Sequence, residues 1–469
     1  MTTYILGGGP SGMALADGLI DANAGPFVLL ERGTQLGGLA QSPHWENIGD
    51  HDLGPHKIFS LDQALVQRIE ALLPASDWLT REKVSSIYMK GHYLPYPPSP
   101  FSLSGVFGLP AFIKMVAGYG IAKVGGLLSS KRPSTFEEDL IGRLGAPLYE
   151  ILFKPIAEKL WGNPRELDVK LSKGRVQTPA LTEVLGRLIG LQKSSEFEAL
   201  TFRYPKGGLG RIWKAIEAKA AGHGEFRMGC TVTGLDSEQG VIKRIRYVCN
   251  GAESVIELGA DDYVVSTLPL GLITKILAPS LPAHIPALAE KVVSLNDLLL
   301  VFLHVDKASL VDESWVFIPD PDIAFHRLSE QESFDPGMTP NGSIVCCEIM
   351  SSAGRPFADK TDDALCQAAL KGLADMGYKD FKVLNQRVIR LPKSYPVFRT
   401  GYEAGLAELI GVMDGYSNLR SIGRQGAFNY IGTLDAMDIG YGLAAWLNDG
   451  RKQSWQKERE RTSHYPVLD

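Results

Sequence analysis

The stretch YILGGGPSG, residues 4–12, constrains the fold more than any other part of this chain. A short apolar run meets a cluster of glycines, and a helix-forming segment of small residues follows. Thr3–Leu6 reads as a buried strand, Pro10–Ala22 as a helix and Phe27–Glu31 as a second strand. That βαβ unit implies a parallel sheet. Gly7-x-Gly9-x-x-Gly12 follows a strand and opens a helix, the context that a dinucleotide-binding turn requires. Gly7 allows the tight turn, Gly9 lets the backbone approach a pyrophosphate, and Gly12 lets helix and strand pack closely. The helix start at Pro10, Ser11 and Gly12 offers free N–H groups and partial positive charge to an anion. Glu31 ends the second strand, where its carboxylate can accept hydrogen bonds from ribose hydroxyls. Strand, helix and terminal acid together make the signal strong. A looser match, Gly440-x-Gly442-x-x-Ala445, follows LDAMD, which is no buried strand. One full fingerprint is therefore read, and a nicotinamide cofactor, a flavin or a nucleotide substrate could each use it.

The 469 residues suggest roughly two to four domains. The net charge of −5 gives no basic excess for nucleic acid. Five cysteines without CxxC spacing favour a reducing cytoplasm over a disulfide framework, and Cys346 and Cys347 read as buried packing residues. No signal peptide is visible at the first residues. Residues 106–128 come nearest to a membrane segment, but Lys114, Lys123, Pro110 and several glycines interrupt them. They are expected as a helix packed in the protein, with peripheral membrane contact as the lesser reading. No HExxH, Cys–His cluster, GxSxG elbow or GxxxxGK[ST] loop occurs, so no metal site is expected.

Further strands are expected near 226–236, 241–249, 261–269, 296–305, 314–318 and 343–350. The later ones suggest an antiparallel substrate-domain sheet. Leu140, Leu144, Leu148, Leu152 and Ile156 recur at helical spacing between Phe136 and Trp161. The expected architecture is α/β. A Rossmann-like domain of 1–92, 203–270 and 415–450 is interleaved with a mixed antiparallel and helical substrate domain of 93–202 and 271–414. The charge-dense tail, 451–469, reads as a solvated helix or frayed end.

ERGTQLGGLAQS (31–42) and DHDLGPHKIFS (50–60) bear on the choice of cofactor. Glu31 and Arg32 followed by Gly37, Gly38 and Leu39 resemble the extended FAD signature of the amine oxidase, protoporphyrinogen oxidase and UDP-galactopyranose mutase superfamily. LGPHKIF resembles the segment that passes the isoalloxazine ring in that group. The resemblance places Gly54 and Pro55 beside a flat ring, with His56 facing it. As a residue alone, His56 reads equally as a core histidine bonded to backbone. STFEEDLIGRLGAPLYEILFKPIAEKLWGNPREL (134–167) is similar to the helical stretch of the mutases and of bacterial protoporphyrinogen-oxidase-like flavoproteins. YPKGGLGRIWKAI (204–216) is closer to the latter. TVTGLD (231–236) and VVSTLP (264–269) resemble strands near the adenine and the ring-side loop, through Val232 and Thr267. GRQGAFNYIGTLDAMDIGYGLAA (423–445) resembles the closing FAD motif. It implies contacts from Gly423, Arg424, Asp435, Ala436 and Met437.

The resemblance implies FAD as cofactor and a small-molecule substrate. Its first functional reading is an oxidoreductase that moves hydride equivalents from a small or lipophilic substrate to flavin. Tyr395, Phe398, Tyr402 and Tyr430 could wall that site, or could simply pack the core. The second reading is a sugar-nucleotide mutase in which Arg175 and Arg424 clamp a diphosphate. Each arginine could equally serve a surface ion pair. This chain departs from the mutase pattern in IGTLDAMD and in the SKGRVQT context of Arg175. A non-enzymatic flavin protein is the third reading. His56, Arg424, Tyr430 and Arg175 are the candidate catalytic residues.

Overall fold

In the computed structural model, residues 1–96, 98, 100–128, 132–176, 201–463 and 465 are described. Residues 177–200 of the expected substrate domain lie outside that set, as do the tail residues 464 and 466–469.

Thr3–Leu6, Phe27–Glu31, Gly224–Met228, Tyr263–Ser266 and Leu419–Ser421 form one five-stranded sheet, and every pairing in it is parallel. Apolar residues on both faces explain why it lies within the molecule. Thr3–Leu6 is central, between Phe27–Glu31 and Tyr263–Ser266. The chain order reverses on the Tyr263–Ser266 side, which is where open α/β sheets bind ligands, beyond the carboxyl ends of the strands. Residues 7–12 leave the central strand at that end.

The first helix, Pro10–Asp21, is buried along most of its length. It packs on the long C-terminal helix, Thr433–Asn448, at small-residue contacts. A Cβ on Gly440 would lie 2.3 Å from the Ser11 carbonyl oxygen, and one on Gly18 would lie 2.6 Å from the Ala444 Cβ. The loose glycine match at 440–445 thus serves helix packing.

A seven-stranded sheet runs in the order Val383–Pro396, Leu295–Val305, Ser343–Ser351, Arg327–Glu330, Trp315–Phe317, Ser85–Met89 and His92–Pro95. It is antiparallel except where Trp315–Phe317 pairs parallel with Ser85–Met89. The hairpin of 85–95, which the sequence reading divides between the segments starting at 1 and 93, is hydrogen-bonded into this sheet. Cys230–Glu238, Val241–Cys249 and Ala252–Glu257 make a three-stranded antiparallel sheet.

Three expectations are corrected. Cys230 and Cys249 are register partners on adjacent antiparallel strands and form a disulfide, whereas unpaired cysteines were expected. Cys346 and Cys347 are free and buried. The leucine repeat of 136–161 is not one helix, because Gly145, at φ +82, ends Phe136–Leu144. A short turn, a π-helical turn at Tyr149–Phe153 and Lys154–Leu160 complete it. Finally, the helix Pro100–Leu128 packs on one side only, through residues such as Leu103 and Met115, while Leu109, Ile113, Val116, Ile121 and Val124 are exposed. The tail settles as a docked helix, Trp455–Arg461. Trp455 is buried there, and Arg459 makes a two-pronged ion pair with Asp414.

The contact at Gly440 leaves no room for a branched side chain. Gly440→Val is expected to cost at least about 2 kcal/mol in urea denaturation, the scale of overpacking a close interface.

Candidate functional site

At the phosphate turn, each glycine answers to a different neighbour. Gly7 has φ +103, and a Cβ there would lie 2.4 Å from Thr267 Oγ1. Thr267 leaves the neighbouring strand, and its hydroxyl lies within donating distance of the carbonyls of Leu6, at 3.0 Å, and Gly7, at 3.2 Å. A Cβ on Gly12 would lie 2.2 Å from the Gly7 carbonyl oxygen. Gly9 differs, because a Cβ there would meet nothing within 4 Å. The first turn of the helix leaves the N–H groups of Ser11 and Gly12 without intrahelical acceptors. Glu31 accepts from Gly8 N at 2.8 Å and from Gly33 N at 2.7 Å, which holds its carboxylate across the turn with lone pairs to spare. Ser11 Oγ donates to the Ala436 carbonyl at 2.7 Å and so ties the closing motif to the turn. Gly423, at φ +83, brings its backbone against Ser11, since a Cβ there would lie 2.6 Å from Ser11 Oγ. Gly38 touches Gly9, Gly37 makes room for Trp213, and Leu39 is half-buried beside them.

Other sequence candidates sit less directly. Asp435 accepts from Gly432 N at 3.0 Å and caps its own helix, and burial raises its pKa. The Met437 side chain is in the core, and Val232 packs in the second apolar cluster. Arg32 is exposed.

A second group of candidates gathers around Gly54. Gly54, at φ +91, runs its backbone close to Glu348, whose carboxylate carbon would lie 3.4 Å from a Gly54 Cβ. Pro55 and His56 follow, both half-buried. His56 Nδ1 is 3.0 Å from the Gly54 carbonyl oxygen, so Nδ1 donates and Nε2 keeps a lone pair. Burial, then the charge of Arg327, lowers its pKa to about 4 and keeps it neutral. Arg424, whose charge reaches His56, belongs to an aromatic group. Tyr430 has Arg175 stacked 3.5 Å and Arg424 4.7 Å from its ring centroid, and Tyr395, Phe398 and Trp161 lie around it. Arg175 Nη2 donates to the Tyr430 carbonyl at 2.5 Å, and Arg424 Nη1 to the Ile431 carbonyl at 2.7 Å. Arg424 Nε is buried without a partner. Among the described residues neither arginine has a carboxylate partner.

The chain's residues 128–405, more than half of its length, match the family model of flavin-containing amine oxidoreductases. The chain belongs to that family. Residues 5–71 match an NAD(P)-binding Rossmann-like domain. The fold is similar to that of reduced UDP-galactopyranose mutase, at 19% identity and TM-score 0.84 over 99% of this chain and 98% of that one. It is also similar to a protein assigned as a protoporphyrinogen oxidase from Exiguobacterium sp., at 18% identity and TM-score 0.72 over 96% and 99% of the two chains. Cyclohexylamine oxidase from Brevibacterium oxydans gives 14% identity and TM-score 0.67 over 96% and 99%.

As a member of this family the chain is an FAD-dependent oxidoreductase, and its residues fit that cofactor. The open space over Gly9, the free N–H groups behind Pro10 and the Glu31 carboxylate suit the adenosine diphosphate end. The side-chain-free backbone at Gly54 and the unpartnered Arg424 Nε suit the ring end.

Sequence reasoning missed the Arg327–Glu348 pair. The two residues are register partners on adjacent strands, and Arg327 forks onto the fully buried carboxylate, with Nη2 at 2.8 Å. The lone acid in the apolar run SIVCCEIMS was its one signal.

Because none of the described residues fills the space over Gly9, and its φ of −74 suits any residue, Gly9→Val is expected to leave folding intact and to displace FAD. FAD affinity is expected to fall about 100-fold, read from flavin absorbance at unchanged circular dichroism, the scale of about 3 kcal/mol of overpacking. His56 makes a separate prediction. The unfolded chain, with an ordinary pKa of 6.5, binds more protons than the native state between pH 6.5 and about pH 4, so stability falls as pH drops through that window. His56→Gln is expected to lose less of its urea midpoint than the wild type between about pH 7 and about pH 4.5.

Proposed function

We propose that this enzyme oxidises a small or lipophilic substrate that carries an anionic group, held by Arg175 and Arg424. One observation carries the reading: two guanidinium groups converge on Tyr430, and among the described residues neither is ion-paired to a carboxylate, Asp435 acting on Arg175 only at longer range. Desolvated cations are costly unless an anion completes them, and a planar guanidinium suits a phosphate or carboxylate. FAD, when bound, supplies a two-electron acceptor. The chain's own residues would do the rest. Tyr395, Phe398 and Tyr430 would wall the reacting carbon from water. His56, neutral at ordinary pH, would orient a substrate hydroxyl or amine by accepting its hydrogen at Nε2. The Arg327–Glu348 pair would hold the Gly54 backbone and keep its own charge matched.

The arrangement also favours a second reading, a sugar-nucleotide isomerase. Arg175 reaches Tyr430 and Arg424 despite its unpromising sequence context, and a diphosphate would span two arginines so placed. Both readings require anion binding, and a single experiment tests it. The FAD-loaded protein is titrated with UDP and with inorganic pyrophosphate while flavin absorbance is followed. A saturable spectral change is expected, weakened about 10- to 100-fold in Arg175→Met and Arg424→Met, the loss of one or more charge-assisted hydrogen bonds. No response in the wild type, or an undiminished response in both variants, overturns the anion site. Turnover then separates the two readings. Interconversion of a UDP-sugar by the dithionite-reduced protein would favour the isomerase. Bleaching by a substrate and reoxidation in air would favour the oxidoreductase.

A further inference from the structure

The helix Pro100–Leu128 breaks at Gly108, which sits at φ +76 and ψ 164, and the longer segment beyond it runs across the surface. Its inner side is tightly fitted. Met115 is buried with Ile87, Met89, Leu94 and Leu152. A Cβ on Gly118 would lie 2.6 Å from Pro147, and one on Gly145 would lie 2.4 Å from the Gly118 backbone.

The outer side is apolar. Leu109, Ile113, Val116, Ile121 and Val124 are between 55% and 73% exposed. At about 100° per residue, Leu109, Ile113, Val116 and Val124 fall within one arc of about 80° opposite Met115 and Gly118, and Ile121, about 60° beyond one end, widens the stripe to about 140°. Lys114 and Lys123 fall on opposite borders of that stripe. Over Ser102–Gly126 the mean hydropathy reaches 1.4 although very little of that stretch is fully buried. Water is a poor neighbour for such a face.

Charge identifies the occupant. No Asp or Glu occurs between Glu82 and Glu137, although the chain carries a net charge of −5. That same interval holds Lys83, Lys90, Lys114, Lys123, Lys131 and Arg132. An apolar stripe flanked by lysines, in a stretch of one sign, matches the boundary between acyl chains and anionic headgroups, where lysine stems lie along the apolar layer and their ammonium groups reach outward. A spanning helix would expose its whole circumference to lipid, but Met115 and Gly118 hold this one against the protein.

We propose that this helix lies in the plane of an anionic lipid surface and attaches the enzyme to it as a monotopic protein. The inference is independent of the substrate reading.

Co-sedimentation of the FAD-loaded full chain with vesicles tests it, using phosphatidylcholine alone and phosphatidylcholine mixed with phosphatidylglycerol. Binding to the mixed vesicles is expected, reduced by high salt, and weakened about tenfold or more in Ile113→Glu/Ile121→Glu. Lys114→Glu/Lys123→Glu is expected to weaken binding to the mixed vesicles while leaving any binding to phosphatidylcholine alone in place. Both variants alter exposed or border positions, and flavin content and circular dichroism monitor their folding. Wild-type protein that stays in the supernatant with both vesicles overturns the proposal. So does equal binding by the wild type and both variants. A concentration-dependent dimer in sedimentation velocity that Ile113→Glu/Ile121→Glu dissociates, without vesicle binding, would make the stripe a contact between copies and also overturn it.

Discussion

Backbone-to-backbone approach at the phosphate turn is the constraint on which the rest of the molecule depends. Three segments far apart in sequence close on residues 7–12, and each does so where a Cβ is missing or where a small hydroxyl bridges. Gly12 sits against the Gly7 carbonyl, Gly440 against the Ser11 carbonyl and Gly423 against Ser11 Oγ. Thr267 and Ser11 then bond to backbone carbonyls on the turn and on the closing helix. Such contacts tolerate almost no added volume, because packed interiors relax only partially. They also explain the interleaved order of the chain. The sheet that presents the turn needs strands from 263–266 and 419–421, so the seven-stranded sheet has to be inserted between visits to it.

Electrostatics divides the candidate site into two parts that treat charge differently. On the Gly54 side, Arg327 is matched by a fully buried Glu348, an arrangement that is costly to break because the survivor would be an unpaired buried charge. It fixes the shape of the loop and sets a positive field that, with burial, keeps His56 neutral. On the Tyr430 side, neither arginine is ion-paired to a carboxylate among the described residues, and Arg175 acts on Asp435 only at longer range. Aromatic faces soften the cost, since Arg175 and Arg424 both lie over the Tyr430 ring and Arg424 also lies 5.0 Å from that of Tyr395. Cation–π contact stabilises a guanidinium without neutralising it, so the attraction for an anion persists.

What could be read from sequence was what local rules govern. The strands Thr3–Leu6 and Phe27–Glu31 occupy the expected residues because apolar runs, the glycine turn and the terminal acid are all local signals. The buried Arg327–Glu348 pair was hidden because the two residues meet only through strand register. The Cys230–Cys249 pairing was hidden for the same reason, and cysteine counting pointed the other way. Leucine spacing carried 136–161 as one helix because periodicity does not register a glycine at φ +82 that turns the chain. Residues 106–128 show a deeper limit. Hydropathy reports that a segment avoids water, and it is silent on whether protein or something else takes water's place.

The exposed helix is joined to the aromatic group around Tyr430 by continuous packing. The apolar cluster beneath it shares Leu148 and Phe153 with the cluster that holds Trp161 and Tyr430. Between the two, the contacts of Gly118 with Pro147 and Gly145 leave no space for the helix to roll about its axis. The direction of the apolar stripe relative to the aromatic wall is therefore set by close contact and not by a hinge. A surface helix on a loose tether could turn its apolar face inward to escape water. This one is prevented from doing so by the glycines that seat it, so the exposure of the stripe is built into the fold in the same way as the phosphate turn, by backbones brought too close to admit a side chain.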